Sequence, residues 1–312
     1  MSGRILITPR SLSKGWHPAL QPLKDAGYEL VMPTPGATPG EADLVAALPG
    51  CVGWLAGVER VSETAIAAAD ALRVISRNGT GIDNLPMNAL KTRGIAVTRA
   101  DGANARGVAE LALTLALAGL RDLVPTHSGM KQGEWPRRIG REITGARIGI
   151  VGLGAIGASF AEFCLVLGAT VHGFDPFAPE DRLVHPAFRR TDLEGALEGA
   201  DIVSLHAPMP ADGRPMIGAE LLARLNRGAV VVNTARAGLL DSDALLAALE
   251  SGQVSTYATD VFDIEPPEPS PLLAHPRVVL TSHIGGFTTE SVERATSHAV
   301  ANLLEALSDD AH

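Results

Sequence analysis

Short apolar and β-branched runs alternate with helix-length segments along the whole chain, and this rhythm leaves few architectures open. In the first hundred residues strands are predicted at 5–8, 29–32, 51–55, 73–76 and 95–98, with helices at 17–26, 41–48, 62–71 and 86–92. A second series starts at Ala146, with strands at 147–151, 170–175, 201–206, 229–234, 256–261 and 278–282. Its helices fall at 155–167, 193–198, 219–224 and 242–250, and a last one at 288–307 closes the chain. Strands that are apolar throughout and joined through helices pair in parallel and are covered on both faces, so the class is α/β. At about 150 residues per domain, 312 residues predict two domains.

Composition narrows the function classes. A net charge of −9 and 4% aromatic residues leave little for nucleic-acid or anionic-membrane binding. Cys51 and Cys164 lie in apolar runs (CVGWLA, FCLVLG) and read as buried thiols, and the lack of a tight His/Cys cluster predicts no metal site. The start, MSGRILITPR, lacks a signal-peptide core and no apolar run is long enough to span a bilayer, so the cytoplasm is the expected compartment.

The segment 104–120 is apolar almost all round (VAELALTLALAGL) and predicts a helix buried in a core or a subunit interface. Residues 125–145 are polar, Gly-rich and basic, a long connection of the kind that often carries function. There Trp135, Arg137 and Arg138 either reach across a dimer towards a neighbour's cleft or form a solvated basic loop.

The sharpest motif is ARIGIVGLGAIGASF, a strand running into Gly152-x-Gly154-x-x-Gly157 and then a helix. The first glycine makes a tight turn, the second admits a pyrophosphate to the backbone, and the third lets helix and strand pack closely. Free N–H groups at the helix start, around Ala155 and Ile156, suit the phosphates. Asp175 ends the next strand eighteen residues past the third glycine, where a carboxylate accepts ribose hydroxyls and repels a 2′-phosphate, which predicts NAD over NADP. The competing readings are a site for S-adenosylmethionine and a glycine-rich packing turn.

Ligands of open α/β sheets sit beyond the carboxyl ends of strands. Those ends deliver His206-Ala207-Pro208, Thr234-Ala235-Arg236, Asp260 with Glu265, and His283 followed by Ile284-Gly285-Gly286. An imidazole, with an ordinary pKa of about 6.5, can give or take a proton near neutrality. Glu265, in the proline-stiffened DVFDIEPPEP, can fix that ring, and Arg236 offers a fork for a carboxylate. Together the three suit hydride transfer at C2 of a 2-oxo acid. The blander alternatives are that His206 packs at a strand end, that Asp260 caps a turn, and that Glu265 and Glu268 are solvated loop acids.

The stretches RNGTGIDN (77–84), GVAELAL (107–113), GLGAIG (152–157), LHAPM (205–209), NTARAGLLD (233–241), TDVFDIEPP (259–267) and SHIGG (282–286) resemble the D-isomer-specific 2-hydroxyacid dehydrogenase family, RNGTGIDN looking most like its phosphoglycerate branch. The resemblance implies two Rossmann- or flavodoxin-like doubly wound domains with the active site in the cleft between them. An NAD-binding domain would span 99–285, and a substrate domain 1–98 plus 286–312. It implies Arg236, Glu265 and His283 as the catalytic set, and Asn78 and Gly79 as further contacts to a substrate carboxylate. The cofactor contacts would come from Gly152, Gly154, Ala155, Ile156, Gly157, Asp175, His206, Ala207, Pro208, Thr234, Ala235, Arg236, Asp260, His283 and Gly285. It implies a phosphoglycerate dehydrogenase or a glyoxylate/hydroxypyruvate reductase, and a homodimer through the helix around 104–120. The phosphoglycerate branch carries an arginine just after the third strand; here that turn reads AGVERVSE, with Gly57 near that place and Arg60 close by. The alternative function is an NAD-sensing, corepressor-like interaction protein of the same fold.

Overall fold

The structure, a computed structural model, describes residues 3–309. The chain divides into two compact units, Met1–Asn104 with Thr289–His312, and Ala105–Thr288. The first is built on β1 (Arg4–Ile7), β2 (Glu29–Val31), β3 (Cys51–Ala56), β4 (Val74–Arg77) and β5 (Ala96–Arg99). They form one sheet in the order β2-β1-β3-β4-β5, every pair parallel. Alternation along each strand feeds two cores. Ile5, Ile7, Leu55 and Val74 meet Ala299, Val300 and Leu303 of the helix Thr289–Asp309 on one face. Leu6, Trp54 and Ile75 meet Leu44, Ile66 and Leu90 on the other. Burial of the large side chains, each worth about 1.5–3 kcal/mol, drives this packing.

The second unit holds β6 (Arg147–Val151), β7 (Thr170–Phe174), β8 (Phe188–Arg190), β9 (Ile202–Leu205), β10 (Ala229–Asn233), β11 (Val254–Thr259) and β12 (Val278–Leu280). Their order is β12-β11-β10-β9-β6-β7-β8, again all parallel. The helices Ala105–Leu120 and Ala155–Val166 cover one face through Ala109, Leu115, Phe160 and Cys164, while Leu197, Leu222 and Leu245 cover the other. The winding reverses between β7 and β9 on either side of β6, which opens a crevice at the carboxyl ends of the central strands. Among the described residues no helix is long and apolar enough to cross a membrane.

Two elements differ from the sequence reading. The connection 125–145 opens with a helix, Leu123–Lys131. Its Pro125 stands in the first turn, where a missing N–H costs nothing, and the rest of the connection is irregular and largely exposed. β8 is a three-residue edge strand paired only with β7, too short to show a period in the sequence.

Candidate active site

β6 turns into the helix Ala155–Val166 through Gly152, Leu153 and Gly154. Gly152 has φ of 95°, and a Cβ there would stand 2.6 Å from the carbonyl carbon of His206. A Cβ on Gly157 would overlap the carbonyl oxygen of Gly152. Both positions therefore require glycine. Gly154 has nothing within 4 Å of its would-be Cβ, so the backbone at the helix start, leading into Ala155 and Ile156, is open to approach.

Asp175, just beyond β7, braces this loop. Its Oδ2 accepts the Leu153 N–H at 2.8 Å, and its Oδ1 accepts those of Phe177 and Ala178 at 2.8 and 3.0 Å. Oδ1 is saturated by its two donors, while Oδ2 keeps a lone-pair direction for a further donor.

β9 and β10 present two polar clusters beside the loop. His206 packs its ring 5.3 Å from that of Phe160 and shares a 2.9 Å hydrogen bond between Nε2 and the Ser204 hydroxyl. Burial pushes its pKa down to about 3, so the ring is neutral. Its Nδ1 and the Thr234 hydroxyl are both buried with no partner among the described residues. The Thr234–Arg236 segment is shaped by Asn233, which is fully buried. Asn233 Oδ1 accepts the Ala235 N–H at 3.0 Å and its Nδ2 donates to the Arg236 carbonyl at 2.9 Å. The Arg236 guanidinium folds back to the Ala235 carbonyl through Nη1 at 2.7 Å.

The third cluster surrounds His283. Its Nδ1 lies 2.8 Å from both Oε1 and Oε2 of Glu265, leaving Nε2 on the far edge of a half-exposed ring. His283 adopts φ of 53°, left-handed for a residue with a side chain, a conformation costing about 1–2 kcal/mol. Asp260, 2% exposed, holds it there. Its Oδ1 accepts the Thr281 hydroxyl at 2.6 Å and the Ile284 N–H at 2.8 Å; its Oδ2 accepts the Gly285 N–H at 2.7 Å. The carboxylate thus grips the chain on both sides of the histidine, at about 1.5–3 kcal/mol for a hydrogen bond to a charged group.

The second unit therefore gathers the glycine loop, Asp175, His206, Ala207, Pro208, the 234–236 turn, Asp260 and the Glu265–His283 pair at the carboxyl ends of its strands. Asn78 and Gly79 belong to the first unit, just past β4, where the Asn78 N–H donates to the Ala56 carbonyl at 2.8 Å. Trp135 is 76% exposed on its loop, and Arg138 reaches Asp122 at 3.8 Å. Asn233 and Thr281 carry structural duties that the sequence reading passed over. The available signal was their place at strand ends, in NTARAG and LTSH, directly before candidate residues.

Residues 113–285 match the model of the "D-isomer specific 2-hydroxyacid dehydrogenase, NAD binding domain". The chain is 35% identical over 253 residues to the hydroxypyruvate reductase of Thermotoga maritima, covering 80% of this chain and 82% of that protein. It is 32% identical to the D-3-phosphoglycerate dehydrogenase of Bacillus subtilis over 92% of its own length and 54% of that protein's. It spans about half the length of the phosphoglycerate dehydrogenases it matches. The crystal structure of the TT0316 protein from Thermus thermophilus superposes with a TM-score of 0.84 at 33% identity, over 98% of this chain and 97% of that one. The cofactor is NAD, and the site fits it. The open backbone at Gly154 and the helix start suits a pyrophosphate, Asp175 Oδ2 has a lone pair for a ribose hydroxyl, and Thr234 holds a buried hydroxyl without a partner among the described residues. By sequence, by the matched domain and by fold, the chain belongs to the D-isomer specific 2-hydroxyacid dehydrogenase family.

Proposed function

We propose that this protein is an NAD-dependent dehydrogenase that interconverts a D-2-hydroxy acid and its 2-oxo acid. The observation that carries the reading is the His283–Glu265 pair, an imidazole held through Nδ1 by a carboxylate with Nε2 turned outward, in a turn fixed by Asp260. When bound, NAD supplies or accepts the hydride at C2.

The chain's own residues do the rest. His283 Nε2 donates a proton to the substrate carbonyl oxygen during reduction and removes the hydroxyl proton during oxidation. Glu265, accepting from Nδ1, keeps the ring in one orientation and compensates the charge it gains. Arg236 binds the substrate carboxylate through its guanidinium fork, with Asn78 and Gly79 as further contacts from the first unit. The glycine loop, from Gly152 through Ala155 and Ile156 to Gly157, and Asp175 hold the dinucleotide. His206, Ala207, Pro208, Thr234, Ala235, Asp260 and Gly285 form the walls of its pocket. In this reading the unit Ala105–Thr288 is the cofactor domain and the other unit the substrate domain.

The protein is further proposed to work in the cytoplasm, with Cys51 and Cys164 as buried free thiols. It is proposed to form a homodimer through the helix Ala105–Leu120 and its surroundings, where Leu117, Leu123, Val124 and Met130 are exposed. Sedimentation showing a monomer at micromolar concentration would remove the dimer.

The activity test is NADH oxidation with glyoxylate, hydroxypyruvate, pyruvate and 3-phosphohydroxypyruvate. At least one is expected to be reduced, and Arg236→Ala and His283→Ala are each expected to lower kcat/KM by about 10³-fold. Near-full turnover by both variants would refute the assigned roles.

A further inference from the structure

A dinucleotide brings a doubly negative pyrophosphate, yet the stretch of chain laid out to receive it contains no cation. From Gly152 to Val171 there is no lysine or arginine, and Glu162 is the one charged residue. The backbone N–H groups at the start of the helix Ala155–Val166 offer partial charges that sum to about half an elementary charge. Any full positive charge at this loop therefore comes from another part of the fold.

Arg182 brings one. It lies in the connection from β7 to β8, and its Nε donates to the Leu153 carbonyl at 3.2 Å, in the middle of the glycine loop. Asp175 holds the N–H of that same residue, so a carboxylate and a guanidinium grip Leu153 by its two polar ends. The next residue is Gly154, where nothing stands within 4 Å of a would-be Cβ. Nη1 and Nη2 of Arg182 make no hydrogen bond or ion pair among the described residues. The two-pronged edge of the guanidinium is thus left for a ligand, beside the most open point of the loop.

The connection places this arm in advance. The Arg182 N–H donates to the Pro179 carbonyl at 3.1 Å; Arg190 Nη1 holds the same carbonyl at 3.0 Å and its Nη2 bonds to the Asp175 carbonyl. Ala178 and Leu183, on either side of Arg182, pack against the core that contains Leu153. The neighbouring charges do not compete for the role. Arg190 has both Nη atoms on backbone carbonyls. Arg189 alternates to the opposite face of the sheet, where it is the register partner of His172. His185 is exposed and accepts the Ala187 N–H through Nδ1. Glu180 and Asp181 precede Arg182 and are exposed, and neither forms an ion pair with it among the described residues.

We propose that Arg182 is a cofactor-binding residue, and that its guanidinium supplies the positive charge for the pyrophosphate of NAD. The step rests on the placement of the dinucleotide at the glycine loop proposed above. A side chain already tethered to that loop loses little rotamer freedom when the phosphates arrive, so the contact appears as affinity.

The test is direct binding of NADH, followed by its fluorescence at several salt concentrations, with adenosine and ADP-ribose as competitors. Adenosine lacks phosphate and ADP-ribose carries the whole pyrophosphate. Arg182→Gln is expected to raise Kd for NADH and ADP-ribose about tenfold, leave adenosine unchanged, and flatten the rise of Kd with salt. Arg182→Lys keeps the charge without the fork and is expected to raise Kd by only about threefold. Arg182 is exposed and outside the packed core, so both variants are expected to fold. If the guanidinium only braces Leu153, all three ligands weaken together and the salt dependence stays, a result that overturns the inference. A loss confined to NADPH also overturns it, since the group would then serve a ribose 2′-phosphate. Wild-type affinity for NADH in Arg182→Gln removes the role of Arg182 alone, whereas a wild type that binds no NADH removes the proposed cofactor site with it.

Discussion

Two histidines stand at strand ends of the second unit and read alike in the sequence, yet the fold treats them in opposite ways. His206, after β9, is pressed against Phe160 beneath the glycine loop, bonded through Nε2 to Ser204, and neutral down to about pH 3. His283, after β12, is half exposed, paired through Nδ1 with Glu265, and carried by a left-handed turn. The difference lies in what stands behind each ring. Ser204 and Phe160 support His206 from an adjoining strand position and from a packed helix. His283 is aimed by a buried carboxylate that grips both of its flanks. A strand-end location brings a side chain to the rim; the contacts behind it decide whether it meets solvent.

Three changes would break or sharpen this contrast. The largest effect is expected from Asp260→Asn. An amide cannot accept from Thr281, Ile284 and Gly285 together, because its nitrogen turns a donor towards one of them. With the His283 turn released, kcat is expected to fall about 100-fold, by analogy with the loss of a preorganised donor elsewhere. Thermal unfolding of the same sample separates a misaimed turn from a lost fold, and an unchanged kcat would show that His283 does not depend on Asp260.

A smaller effect is expected at Asp175. Replacing it with alanine removes the repulsion of a 2′-phosphate as well as the brace on Leu153, so the NADH-over-NADPH ratio of kcat/KM is expected to drop by about tenfold. A wild type already favouring NADPH would contradict the role given to that carboxylate.

The smallest concerns His206. Its pKa is about 3 in the folded protein, below the unfolded value of 6.5, so the unfolded chain binds the extra proton first. The stability that the neutral ring contributes is full above about pH 6.5 and is lost as pH falls towards 3, by at most about 1.4 kcal/mol per pH unit. His206→Gln is expected to lose less stability than the wild type between pH 7 and pH 5 in urea titrations. Equal losses would mean that the ring protonates freely and is not held neutral by burial.

What the sequence reveals depends on how local the cause is. The glycine loop is legible because strand, turn and helix follow one another within fifteen residues and each glycine has its own steric reason. The parallel sheets are legible because strands such as β10 are buried along their full length and so are apolar up to the closing Asn233. The acid at 260 is visible as a strand-end carboxylate, but its bonds to 281, 284 and 285 depend on β11 and β12 lying side by side, which no spacing reveals. The helix Leu123–Lys131 escaped because glycine, proline and polar residues mask its period.

The bond from Asp175 to the Leu153 N–H has a thermodynamic consequence. It links the end of β7 to the middle of the glycine loop within the protein alone, so that loop is ordered before a dinucleotide arrives. Binding then carries little entropic penalty for freezing the loop, and more of the contact energy appears as affinity. The same bond ties the end of β7 to the glycine loop, so in the proposed binding mode adenosine and pyrophosphate would be received at a separation the protein sets beforehand.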